Sequence, residues 1–136
     1  MSDVRTGGYG PESYLVRLPF PPSANRLWRS PPGSRRPILS EEYRAWKQEA
    51  AQVLKYDGFP FQLTGRVVVH LYFTFPTQAG DLGNRIKAVE DALQDAGVIE
   101  NDRDIYGLFA MRAPEPAKPG GVTVQVLPWK PPPAPD

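Results

Sequence analysis

From Gly65 to Pro76 the chain alternates: Val67, Val69, Leu71, Phe73 and Phe75 fall on one side of an extended backbone, and Val68, His70, Tyr72 and Thr74 on the other. Both sides carry apolar bulk, which predicts a central strand. A second short run, "YLVRL", predicts a strand that ends at Pro19, Pro21 and Pro22, because proline offers no ladder donor. From Ser40 the period changes to three and four. Tyr43, Trp46, Ala50 and Val53 then share a helical face, Ser40 is placed to cap it, and Asp57-Gly58 to close it. The next helix is expected from Leu82 or Asn84 to Ala96, with Gly97 as its C′ residue. Leu82, Ile86, Val89, Leu93 and Ala96 lie on one side of that helix, and Asn84, Lys87 and Asp91 on the other. "DIYGLFAMR" and "GGVTVQVLPW" read as two final strands, and "PPSANRLWRSPPGSRRP" as a loop. The order β-α-β-α-β-β predicts an α+β fold, a small mixed sheet with two main helices packed on one face.

At 136 residues the chain has the size of one domain. Residues 1–13, small and glycine-rich, are expected to be a flexible lead, 14–128 the domain, and 129–136 a proline-rich tail. There is no cysteine, which removes disulfides, thiolate metal sites and a thiol nucleophile. The single histidine, His70, sits mid-strand and is read as a half-buried packing residue; a histidine-rich zinc site is excluded. No apolar run approaches the roughly 20 residues of a membrane span, and no signal pattern opens the chain, so a cytoplasmic protein is expected.

The formal charge of +1 is uninformative, but its distribution is not. Arg26, Arg29, Arg35 and Arg36 cluster around Trp28, a combination suited to backbone phosphates and a stacked base. Acidic residues gather between 90 and 104. Asp81 follows the long strand and Asp102 follows the second helix, so the chain carries carboxylates at both ends of one helix with Lys87 between. Asp81 reads equally as a helix cap, Asp102 as a polar turn, and Lys87–Asp91 as a surface pair at i,i+4. If the two loops meet, their oxygens would suit a hard cation such as Mg²⁺, and Lys87 a phosphate.

Three separated blocks, "LPFPPSANRLWR", "EEYRAWKQEA" and "GDLGNRIKAVEDALQDAGVIENDRDI", together resemble the RusA family of Holliday junction resolvases over about residues 14–127. Asp81, Asn84, Lys87, Asp91, Leu93, Gly97 and Asp102 match that family's pattern in register. The resemblance implies a homodimeric, metal-dependent endodeoxyribonuclease, encoded by a bacterium or a phage and acting at the nucleoid, that nicks four-way junctions symmetrically. Mg²⁺ is the implied cofactor, with Mn²⁺ able to substitute. It further implies Asp81 and Asp102 as metal ligands, with Lys87 completing the catalytic set. Asn25, Arg26, Trp28, Arg29, Arg35, Arg36, Asn84 and Lys87 become the DNA-contacting residues.

Two positions depart from the pattern. Residue 83 is glycine where the family has a second aspartate, and the late acidic pair opens with Asn101. Asp91, Glu100, Asp104 and the amide of Asn101 are the candidate supporting groups. The alternative to an impaired nuclease is a catalytically inactive junction-binding protein on the same fold; a further one is a protein-interaction domain read through its proline tail.

Overall fold

The computed structural model describes residues 14–26, 28–29, 33, 38–56 and 63–133. Its elements are β1 (Tyr14–Leu18), β2 (Trp28–Arg29), β3 (Ile38–Leu39), α1 (Glu41–Tyr56), β4 (Val67–Thr74), α2 (Ile86–Asp95), β5 (Ile105–Arg112) and β6 (Gly121–Pro128). The α+β class and the two helices follow the sequence pattern. The arginine-bearing stretch departs from it: besides a 3-10 turn at Ala24–Arg26, it contains a two-residue antiparallel ladder of β2 on β3. Two pairs carry no readable period, so the sequence offered no signal for them.

The main sheet runs β1-β6-β4-β5. β4 pairs antiparallel with β6 and parallel with β5, the crossover between β4 and β5 being α2. Burial along β4 alternates as the sequence predicts: Val67, Val69, Leu71, Phe73 and Phe75 are all buried. Val16, Leu18, Val122, Val124 and Val126 join them on the same face. That face is covered by Tyr43, Trp46, Ala50 and Leu54 of α1 and by Ala88, Val89, Ala92 and Leu93 of α2.

Local signals set the helix ends. Ser40 Oγ accepts from Tyr43 N at 3.1 Å, the N-cap expected for α1. Gly97 has φ +79°, and the backbone turns there so that Val98 N donates to Leu93 O at 3.0 Å. Asp57 and Gly58, expected to close α1, lie outside the described residues. The other face of the sheet carries no helix among the described residues, and His70, read as half-buried, is exposed there against the Phe109 ring at 5.0 Å. Just after β6, Trp129 N donates to Arg66 O at 2.9 Å. Among the described residues no helix is long and apolar enough to cross a membrane.

Candidate active site

The turn between β4 and α2 is held by two arginines that the sequence pattern does not single out. Arg112, the last residue of β5, donates to Gly80 O at 2.8 Å, Gln78 O at 3.0 Å and Thr77 O at 3.3 Å, and its guanidinium lies 3.6 Å from the Phe75 ring centre. Arg85 donates to Pro21 O at 2.7 Å and packs over Phe20 at 4.7 Å, tying the turn to the proline segment after β1. Gly80 has φ +97°, and a Cβ there would meet Phe75 at 3.3 Å, so the turn needs glycine. This clamp sets the position of Asp81. Its signal, a lone arginine at the end of a predicted strand, gains meaning only from the fold.

Asp81 caps no helix. A 3-10 turn, Gly83–Arg85, precedes α2, and neither that turn nor α2 has a side-chain cap. Asp81 is exposed, and Asn84 Nδ2 reaches its Oδ2 at 3.5 Å. Both line a polar cavity of about 440 Å³ with Ser23, Asn25, Glu42, Gly80 and Arg85. Thus Asn25, expected on the DNA side, shares a cavity with Asp81 and Asn84. Ser23 and Glu42 were not anticipated: Glu42 sits in the first turn of α1, where an acidic residue has a sufficient explanation in the helix dipole.

One turn further along α2, Lys87 pairs with Asp91 at 3.1 Å and lies 3.6 Å from Asp102. The local pair and the long-range one therefore coexist. Lys87 faces Asp91 and Asp102, not the cavity that Asp81 lines. Asp102 is held by its backbone: its N–H donates to Gln94 Oε1 at 2.8 Å, fastening the return turn to the end of α2. Asn101 Oδ1 accepts from Arg103 N at 3.0 Å, so the amide oxygen caps the 3-10 turn Asp102–Asp104. Glu100 accepts from Gly65 N at 3.4 Å, toward the start of β4. The backbones of Arg26, Trp28 and Arg29 are described but their side chains are not, and Arg35 and Arg36 lie outside the described residues.

Behind this cluster stands Tyr43. Its ring is core, as its spacing predicts, but its hydroxyl donates to Asp91 Oδ2 at 2.8 Å. Burial first, then the bond to Asp91, push the Tyr43 hydroxyl far above its ordinary pKa, so it remains a donor. The chain Tyr43–Asp91–Lys87–Asp102 links α1, α2 and the turn before β5. Tyr43→Phe is expected to lower stability by about 1–2 kcal/mol in urea unfolding, the loss of one hydrogen bond to a charged, partly buried acceptor. An unchanged midpoint would show that the hydroxyl contributes nothing to Asp91.

The hydrogen bond to Asp91, reinforced by the charges of Asp91, Asp102 and Glu90, raises the Lys87 pKa against an opposing desolvation. Raised above its unfolded value, it contributes stability that is complete below about pH 10.5 and lost only as pH climbs through the higher folded value. Lys87 is accordingly a fixed cation at neutral pH. Glu90 is pushed up mainly by burial, with Asp102 and Asp91 adding to it and Lys87 pulling it down. Ionised Glu90 opposes folding at neutral pH, and that cost is relieved as pH falls through its folded pKa. Lys87→Met is expected to move the Glu90 carboxyl midpoint further up in a carbon-detected NMR titration; a downward move would contradict this arrangement.

Arg112→Ala is expected to cost about 1–3 kcal/mol, the range for hydrogen bonds from a charged donor. Amide exchange over residues 77–81 should quicken with it. Exchange left at its original rate would mean that the turn holds without the guanidinium.

The donors available to a metal are carboxylate and amide oxygens, the chemistry of a hard cation. Among the described residues no three acidic side chains converge on one point, so these residues form no complete cage. Magnesium commonly takes one or two carboxylates and completes its shell with water and substrate phosphate; Asp81 offers one carboxylate at the polar cavity, and Asp102 another beside Lys87.

Comparison with known proteins agrees with the three sequence blocks. Residues 19–127 match the family described as Endodeoxyribonuclease RusA. Crossover junction endodeoxyribonuclease RusA of Escherichia coli K12 is 30% identical over 103 residues, covering 75% of this chain and 84% of that protein. The protein of the same name from Enterobacteria phage 82 is also 30% identical over the same shares, and that of Shigella sonnei 29%.

Proposed function

Because the chain belongs to the RusA family of endodeoxyribonucleases, we propose that it cuts four-way DNA junctions by paired, metal-dependent hydrolysis of two phosphodiester bonds. The observation that supports this most is the contact of Lys87 with both Asp91 and Asp102 one turn beyond Asp81. It sets a fixed cation among carboxylates on the exposed side of α2.

In this reading Asp81 and Asp102 hold Mg²⁺ or Mn²⁺, which when bound supplies an activated water and neutralises phosphate charge. The protein's own residues do the rest. Lys87, protonated at any working pH, offsets the negative charge that grows on the phosphate oxygens. Asp91, anchored by Tyr43, keeps the ammonium group in place. Asn25 and Asn84 offer hydrogen bonds to DNA oxygens at the rim of the cavity. Arg26, Arg29, Arg35 and Arg36 bind backbone without reading bases, so junction shape selects the substrate. Two such cuts need two copies of the site, and a two-fold dimer suits a substrate with near two-fold symmetry. The setting is the cytoplasm of a bacterium, with chromosomal or phage DNA as substrate.

The test is cleavage of a synthetic four-way junction beside a linear duplex of the same arms, with Mg²⁺ or Mn²⁺, and gel-shift binding across a salt series. Paired nicks in the junction alone, with binding that weakens steeply with salt, are expected. Equal action on both substrates, or salt-independent binding, would sink the proposal. Gly83 favours one second reading, a junction binder that does not cut; junction binding without nicks in either metal would select it.

A further inference from the structure

Three segments meet at the end of the sheet where β4 begins. Arg66, just before β4, has its guanidinium carbon 4.5 Å from the Tyr106 ring centre and 5.7 Å from that of Trp129, and the two rings are 5.1 Å apart. The backbone fixes this meeting. Val67 pairs with Ile105 and Val68 with Gly107, so Tyr106 stands outside the regular ladder, while Trp129 N holds Arg66 O from the other side. Arg66 and Tyr106 are both exposed, the tyrosine at 51%.

The fold makes no use of the Arg66 charge. Among the described residues its guanidinium forms no ion pair and no hydrogen bond, in contrast to Arg85 and Arg112, which hold backbone carbonyls. A guanidinium packed on aromatic rings keeps its N–H donors for another acceptor and loses little freedom on meeting one. Phosphate is the acceptor that its planar fork matches. Arg103, in the turn before β5, and Lys130, directly after Trp129, are exposed as well. The neighbouring acid, Glu100, accepts from Gly65 N at 3.4 Å, which fastens the segment carrying Arg66.

The position is as informative as the chemistry. Tyr106 follows Asp102 by four residues, a reach of at most about 14 Å. β5 then joins the cluster to the rest of the site, since Arg112 at its far end holds the Asp81 turn. That separation is about 20 Å along the strand, roughly six base steps of duplex.

We propose that this cluster is a second DNA contact, in which Arg66 holds a backbone phosphate of the strand leaving Asp102 and the Tyr106 ring receives a base unstacked at the branch point. The inference rests on the nuclease reading for its ligand and on the cluster for its place. In a linear duplex every base is stacked within the helix, so only a branch offers one to Tyr106, whereas phosphates are common to both. Tyr106 therefore adds preference for junctions, and Arg66 adds affinity for any DNA.

Fluorescence anisotropy across a salt series, with 2-aminopurine beside the branch point as a second signal, tests this. Arg66→Gln is expected to lower the slope of log K against log salt by about one, the share of one phosphate, on junction and duplex alike. Arg66→Lys should keep the slope. Tyr106→Leu is expected to weaken junction binding about tenfold, to leave duplex binding and the slope unchanged, and to abolish the 2-aminopurine quenching expected with the wild type. Mn²⁺ binding without DNA should be equal in the wild type and all three variants, which separates this contact from the metal site. An unchanged slope in Arg66→Gln, or wild-type junction affinity and quenching in Tyr106→Leu, would overturn the contact, and wild-type cleavage would leave the nuclease reading in place. The expected binding changes in a protein that cuts no junction would remove the nuclease reading and leave the contact standing.

Discussion

Asp81→Asn is expected to reduce junction cleavage by about 10²- to 10³-fold, the scale at which a preorganised electrostatic group acts on a rate, while junction binding changes little. The structure makes this a clean substitution. Asp81 is exposed, caps neither the 3-10 turn nor α2, and among the described residues its carboxylate accepts a hydrogen bond from the Asn84 amide alone, at 3.5 Å. Its charge therefore holds no cap or ion pair among the described residues, and thermal unfolding should be unaltered. The asparagine keeps the side chain's size and one oxygen. Mn²⁺ binding, followed by its paramagnetic effect on water relaxation in the absence of DNA, should weaken in parallel. Cleavage at the wild-type rate would remove Asp81 from the site, and a large fall in melting temperature would show that it is structural after all.

Gly83→Asp should act in the opposite direction, raising cleavage in Mg²⁺ by at least about tenfold, a modest share of what one electrostatic group contributes to a rate. Position 83 is where the family pattern carries its second aspartate. A Cβ built there meets nothing within 4 Å, and glycine is not required by a positive φ, so a side chain enters without strain. The residue begins the 3-10 turn that leads into α2. A negative charge at that end is favourable by about 0.3–1 kcal/mol, and replacing glycine removes unfolded-state freedom worth a similar amount. The variant should thus be more stable as well as more active. A stable Gly83→Asp protein with unchanged cleavage would mean that the missing carboxylate does not limit this site. Junction cutting that appears only in the variant would identify the natural chain as a binder.

These two predictions depend on different parts of the reading. The first asks whether the carboxylate after β4 takes part in the reaction; the second asks what glycine two residues later takes away. Arg112 connects them to the fold, since it holds the carbonyls of the turn that carries both.

What the sequence determined by itself was whatever depends on near neighbours. The alternation in β4, the Ser40 cap, the reversal at Gly97 and the apolar side of α2 are all written within one strand or a few helical turns, because backbone period and capping act over a few residues. The family blocks likewise marked Asp81, Lys87 and Asp102 without any coordinates. Only the tertiary structure decided what distant residues do to one another. It inserted β6 between β1 and β4, so that β5 became an edge. It brought Asp102 to Lys87 and, across 48 residues, Tyr43 to Asp91. It also assigned Arg112 to the Asp81 turn, 32 residues earlier in the chain. None of these carries a local signature, because the free energy that selects them comes from sheet pairing and helix packing between separate segments, and from the polar groups that such packing then requires to find partners.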